Sequence, residues 1–268
     1  MERVRSIPEH PILTASLVLL FLGIFVIGLS FFYYPLTTFY QSILAEAHGM
    51  LFDLAIIGIL LYWLNENGQT RQRIRTYKDE IDDFRLWESE EAAFRTVGNI
   101  KRLNRHGIYN INLVNVHLVK TNLNYVVLRD SNLNNANLTT AKLIEADLGN
   151  TRLNQTIFEN ANLNQANLTS AYASGAIFRD AFLIKANLHK AFLIKADFTN
   201  AFLMEANLTG AYLTGANFEN ANLYKADLRG AIGLTVDQFS KVKSLYLAQF
   251  DEEFSRQINE ELPELAGK

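Results

Sequence analysis

The 268-residue sequence contains no cysteine. That excludes a disulfide framework, a thiolate metal site and a cysteine nucleophile, and it agrees with a reducing compartment. There is no Gly-rich phosphate loop and no HExxH element. The five histidines, His10, His48, His106, His117 and His189, show no metal-ligand spacing. No catalytic, cofactor-binding or metal-binding residue is therefore assigned, no cofactor is expected, and the chain reads as non-enzymatic. Basic residues are also missing from one long stretch, with no Lys or Arg between Arg5 and Arg71. Mean hydropathy is +0.01, but that value averages two unlike halves and decides little.

The stretch without basic residues reads as membrane. Ile12 to Tyr34 is 23 residues without a charge, which as a helix spans ~34 Å against the ~30 Å hydrocarbon core. It is too long for the apolar region of a signal peptide, and no small-x-small cleavage site follows. A second apolar run, Leu51 to Leu64, is 14 residues and reaches 22 if extended back to Ile43. Residues 12–68 are thus expected to form a two-helix transmembrane hairpin behind a short tail, 1–11. Arg3 and Arg5 precede the first span, and Arg71, Arg73, Arg75 and Lys78 follow the second. The positive-inside rule then puts both ends of the chain in the cytoplasm. Glu46, His48 and Asp53 are the polar residues of the second span, and Glu46 and Asp53, seven apart, share a helical face. Buried carboxylates in a span face a partner or water. Two readings stay open: a self-associating or ion-conducting hairpin, or acids lying at the wet outer interface.

Residues 69–105 are charged and expected to be mostly helical. Ile74, Tyr77, Ile81 and Phe84 form an apolar stripe at helical spacing, continued in a changed register by Trp87, Phe94 and Val97. That stripe either seals the near end of the C-terminal domain or pairs with another subunit.

From Ile108 to Arg229 the chain repeats every five residues, as in AFLIK ANLHK AFLIK ADFTN. The central position runs from Leu113 to Leu228 in (228 − 113)/5 + 1 = 24 steps, and Leu or Phe fills 23 of them; the exception is Ala173. Two residues earlier, from Ala136 to Ala231, 18 of 20 positions are Ala, the others being Thr151 and Thr156. In the first coils the small position holds Ile111, Val116, Thr121, Val126 and Ser131. A period of five fits neither helix nor plain strand, but it suits a short extended segment followed by a tight corner. Two positions point inward and three outward, which is the signature of a solenoid.

This pattern resembles the pentapeptide-repeat family, A(D/N)LXX, in its membrane-anchored bacterial form. The resemblance implies a β-solenoid, a right-handed quadrilateral β-helix with 20 residues per coil. Phe158, Phe178, Phe198 and Phe218, each 20 apart, would then stack on one inner side. The β-helix is expected over 106–234. A helical cap and tail come next, over 235–268, opened by the capping-box pattern Thr235 to Gln238 and closing the core with Phe239, Val242, Leu245, Tyr246 and Phe250.

Four-sided winding also predicts outward columns. Tyr172, Phe192 and Tyr212 form one, with Ile232 beyond, and Phe182 with Phe202 form a second on the opposite side. Ile184, Met204 and Tyr224 lie along that second side. Contiguous exposed apolar residues mark interfaces, and stacking between coils is the purely structural alternative. Well-known members of the family protect DNA gyrase by imitating acidic DNA. From His106 to Gly230, however, 10 Lys and Arg against 9 Asp and Glu leave +1, so neither a DNA mimic nor nucleic-acid binding is expected. The expected role is a scaffold in the bacterial inner membrane, multi-pass, with a cytoplasmic β-helix for an unknown protein partner, contacts to lipid and homo-oligomerisation. The alternative is a membrane effector whose hairpin oligomerises and perturbs ion balance through Glu46, His48 and Asp53. The Asn-Leu-Thr triplets at Asn137, Asn167 and Asn207 are by-products of the repeat.

Overall fold

The structure, a computed structural model, describes residues 20, 21, 23–28, 31 and 38–266. Most of the first expected span, 12–34, lies outside the described residues, as do Arg3, Arg5 and His10. The chain divides into two compact units, Met1–Arg73 and Ile74–Lys268.

One helix, α1, runs from Thr38–Asp83 over 46 residues. Its Ala45–Asp83 portion is long and apolar enough to cross a membrane, with a mean hydropathy of 1.7 in its most apolar window. The sequence reading separates a span ending at 68 from a linker starting at 69. The structure has no break there. Gly68 is the only glycine in that region, and a single glycine costs a helix only ~1 kcal/mol, so the helix continues through it.

After a turn at 84–86, Ser89 caps the next helix, α2 (Glu90–Arg105), accepting a hydrogen bond from the Ala92 amide at 3.2 Å. Glu90 and Glu91 sit in its first turn, with Arg102 and Arg105 in its last, which suits the helix dipole. Ile81 of α1 and Val97, Ile100 and Leu103 of α2 are buried and continuous with the solenoid core. Part of the apolar stripe thus closes the N-terminal mouth, while Trp87 and Phe94 stay exposed.

Parallel bridges join each outward residue to the one 20 positions later, from Asn112–Asn132 to Tyr212–Ile232. Each coil is therefore four pentads, and each side is one bridged residue long. The pentad of Leu193 accounts for its own backbone. Phe192 N–H donates to Ala171 O at 2.8 Å, Leu193 N–H to Tyr212 O at 2.8 Å and Lys195 N–H to Thr214 O at 3.0 Å. The corner closes with Ala196 N–H on Leu193 O at 3.0 Å. That corner needs a left-handed residue, and all 24 positions from Asn115 to Gly230 have φ between 54° and 68°. Only Gly175, Gly210, Gly215 and Gly230 are glycine there.

Inside, the four Phe stack with ring centroids 5.1, 4.9 and 5.2 Å apart, and Phe239 of the cap extends the ladder at 5.4 Å. Thr151 and Thr156, fully buried in Ala positions, donate to Leu128 O and Leu133 O at 2.8 Å. Their hydroxyls bond the neighbouring coil and so carry no desolvation penalty.

The winding continues past Leu234, where the sequence reading ends it. A two-residue insertion at α3 (Val236–Phe239) shifts the spacing to 22, and the bridges Asn222–Ser244 and Asp227–Gln249 form on it. Leu245, the turn at Leu247 (φ 58°) and Ala248 reproduce a pentad. Helices α4 (Glu252–Glu261) and α5 (Pro263–Ala266) come last.

The left-handed corner makes a prediction. Thr140 is β-branched, exposed and sits at φ 57°, a backbone region that costs L-residues roughly 1–2 kcal/mol. Thr140→Gly is expected to raise stability by about 1 kcal/mol, read as a higher midpoint in thermal unfolding. A lower midpoint rejects the assignment of strain to that corner.

Candidate functional surface

One amide in each pentad is left over by this backbone pattern, that of the residue just after the centre. Its acceptor depends on the outward residue just before the centre. That position holds Asn or Asp in 13 of the 24 pentads. In all 13, from Val114 N–H on Asn112 Oδ1 to Arg229 N–H on Asp227 Oδ1, the side chain takes the spare amide. These are Asx turns, and Asn137, Asn167 and Asn207 are among them. Four more amides, those of Ile144, Asn154, Ser174 and Ile184, are taken by an Asn 20 residues earlier. The remaining seven find no acceptor among the described residues.

Three of those seven, the amides of Ile194, Thr214 and Met204, come after Phe192, Tyr212 and Phe202. An aromatic side chain there gives up a turn cap worth about 1 kcal/mol. The rings instead stack between coils. Tyr172, Phe192 and Tyr212 are parallel at 4.9 and 4.6 Å, and Phe182 and Phe202 at 4.9 Å. Such pairs return ~0.5–1.5 kcal/mol each, so loss and gain are of similar size. Tyr172 is 45% exposed, Ile232 49% and Phe182 38%, while Phe192, Tyr212 and Phe202 are half-buried. Ile184, Met204 and Tyr224 are half-buried beside the second column, and Tyr224 stacks on Tyr246 of the cap at 5.9 Å.

Glu46, His48 and Asp53 all lie on α1, Glu46 and Asp53 exposed. Among the described residues no group of three or more His, Cys, Asp or Glu is placed to hold a metal ion. His189 hydrogen-bonds the Thr209 hydroxyl at 2.7 Å within the polar side of the rod.

Both rod ends make edge contacts that the sequence did not single out. Asn104 of α2 pairs with Val127 in both directions, donating to its carbonyl at 2.9 Å and accepting from its amide at 2.8 Å. Arg85 donates to Val114 O at 2.8 Å. At the other end Gln238 donates to Leu213 O and Ala216 O, both at 2.9 Å. These groups satisfy edges that would otherwise pair with another chain.

Carboxylates in the turns also bind cations. Asp197 accepts from Arg179 Nε at 2.5 Å and from the Thr199 hydroxyl and amide. Burial pushes its pKa up, but the Thr199 and Arg179 bonds outweigh that and hold it below the ordinary value. Asp227 is held low by its hydrogen bond from Arg229, against a smaller effect of burial.

The family profile described as Pentapeptide repeats matches this chain in eight copies, at residues 111–150, 121–160, 141–180, 166–203 and 201–232. No curated protein matches the sequence. Among solved structures, a pentapeptide repeat protein from the Arabidopsis thaliana thylakoid lumen is 28% identical, covering 42% of this chain and 71% of its own, with a TM-score of 0.32. HetL, a pentapeptide repeat protein involved in heterocyst differentiation regulation in the cyanobacterium Nostoc, is 28% identical over 56% of this chain and 78% of its own, with a TM-score of 0.27. QnrB1, a plasmid-mediated fluoroquinolone resistance protein, is 17% identical over 57% and 89%, with a TM-score of 0.32.

The lowered carboxylates set a pH expectation. A depressed folded pKa contributes stability that is present above the unfolded value of ~3.9 and lost as pH falls through the folded pKa. Thermal midpoints should therefore change little on this account from pH 7 to about 4 and drop below it. Asp197→Asn should flatten part of that drop. An unchanged acid limb in the variant removes Asp197 from this account.

Proposed function

The solenoid of this chain belongs to the pentapeptide-repeat family, whose fold is a right-handed quadrilateral β-helix, and from that premise we propose that the protein is a membrane-tethered, non-enzymatic scaffold that docks a partner protein on its β-helix. The observation that carries the reading is the replacement of turn-capping Asn by aromatic residues in columns on opposite sides of the rod. A solenoid selected only for stability keeps the cap, because the cap is local and needs no neighbour of matching size. Columns of Phe and Tyr cost caps and leave apolar surface exposed, which is the composition of an interface.

Helix α1 supplies the tether. Arg71, Arg73, Arg75 and Lys78 follow its apolar part, and their positive charge favours a cytoplasmic location for the solenoid at a bacterial inner membrane. A two-helix hairpin completes this reading. The near-neutral rod weighs against imitation of DNA. A second copy of the chain is the competing occupant of the columns.

Glu46 and Asp53 favour a second reading, in which the hairpin oligomerises and perturbs ion balance. Two carboxylates on one face of an apolar helix are costly unless they meet water or a partner. Expression of the full chain should then cause an ion leak that Glu46→Leu with Asp53→Leu abolishes; absence of any leak from the wild type rejects it.

The scaffold reading is tested by giving the second column the repeat's own residue. Phe182→Asn with Phe202→Asn removes the apolar column and restores the side-chain cap on the Met204 amide, the Ile184 amide being held by Asn164 already. Stability should stay within about 1 kcal/mol of wild type, while the partner crosslinked to the full-length protein in its native membrane should be lost. The same crosslinks in the variant would take this column out of the proposal.

A further inference from the structure

The two apolar sides of the rod differ in charge. The side holding Tyr172, Phe192, Tyr212 and Ile232 is built by 150–155, 170–175, 190–195, 210–215 and 230–234. Those five passes contain no Asp or Glu. They contain three cations, Arg152, Lys190 and Lys195, all exposed and none in an ion pair among the described residues. The opposite side, built by 140–145, 160–165, 180–185, 200–205 and 220–225, has Glu145, Asp180 and Glu205 against Lys142, Lys185 and Lys225. There Lys185 meets Glu205 at 3.6 Å.

The rims differ as well. All four glycine corners border the acid-free side, Gly175 and Gly215 along one rim and Gly210 and Gly230 along the other. Each corner bordering the opposite side over those coils carries a side chain. The stems of Lys190 and Lys195 run beside Gly210 and Gly215, where an added Cβ would meet their Cγ atoms at 3.4 and 3.5 Å. The result is a flat strip of Tyr, Phe and Ile with low rims and unpaired ammonium groups.

We propose that this side rests on the anionic headgroup surface of the lipid bilayer, with the column of Tyr172, Phe192 and Tyr212 at the interface and Arg152, Lys190 and Lys195 on lipid phosphates. The proposal rests on the reading of α1 as a membrane tether. Aromatic residues and lysines together suit the headgroup layer, and basic residues near an anionic leaflet are attracted to it. A planar surface needs low rims, and the glycines supply them. A tether keeps the rod at high local concentration, so a few such contacts suffice. A symmetric pair of copies through this side brings three cations against three cations with no acid to pair them, which opposes self-association there. The column of Phe182 and Phe202 is then left free for the protein partner.

Gln155 and Gln165 provide the test. Both are exposed, both occupy left-handed corners (φ 56° and 60°), and they lie on opposite corners of one coil. The chain has no native cysteine, so Gln155→Cys and Gln165→Cys each give a single labelling site. The full-length protein is reconstituted in vesicles of phosphatidylcholine with phosphatidylglycerol and a headgroup-attached nitroxide lipid, and quenching of a fluorophore at each site is compared. At least about threefold more quenching at 155 than at 165 is expected, by the order of a single Lys contact to an anionic surface. The ratio should fall towards one in pure phosphatidylcholine and in Lys190→Glu with Lys195→Glu. Equal quenching at both sites in protein that resists alkaline extraction overturns the proposal alone, as does a ratio indifferent to lipid charge. A disulfide between two copies at 155 that displaces the quenching also overturns it, in favour of a dimer. Protein removed by alkaline extraction overturns the tether reading and this proposal with it.

Discussion

Coil-to-coil backbone hydrogen bonding is the constraint on which the rest of this structure depends. In each pentad from Asn132 to Ala211 three amides bond to neighbouring coils and one closes the corner, whatever the outward side chains are. The core follows from that ladder. With coils held ~4.8 Å apart, identical residues come into register, so Phe stacks on Phe and Ala sits where the interior is narrow. The buried Thr151 and Thr156 are tolerated because their hydroxyls reach a carbonyl of the previous coil.

The ladder also releases the surface from structural duty. In those pentads only the spare amide depends on a side chain, and Asn or Asp satisfies it cheaply. Where the chain departs from Asn its sides become chemically distinct. One side keeps an Asn and Asp ladder, running through Asp147, Asn167, Asn187, Asn207 and Asp227. Two others exchange it for aromatic columns, and these two then differ in charge and rim height. A rigid rod can thus present chemically different faces without change in its core, which is how one fold serves unrelated roles.

A ladder has ends, and its ends are hazards. Here they are closed by unlike devices: α2 with Asn104 and Arg85 at one, and a displaced final coil with Phe239 and Gln238 at the other. Both combine an apolar plug with a polar group that bonds the open edge, because covering apolar surface alone would leave backbone groups unsatisfied.

Periodicity made the solenoid legible. The inner positions, the 20-residue coil and the columns at Tyr172, Phe192 and Tyr212 and at Phe182 and Phe202 all follow from counting, since a repeat places its residues by arithmetic. The end of the winding was not legible, because a two-residue insertion hides the pentads around Leu245 and Phe250 from any fixed period. Nor was the continuity of α1 through Gly68, where local polarity suggests a boundary and helix cooperativity overrides it. The edge contacts of Asn104, Arg85 and Gln238 carry no sequence signal, since which side chain meets an open edge depends on how a cap packs against it; the capping box marks Gln238 only as part of a helix start. By itself the sequence determined which residues are inside and which share a side, because both depend only on spacing. Only the tertiary structure decided which amides each Asn caps, which corners lie bare and which cations lack a partner, because these depend on distances between coils.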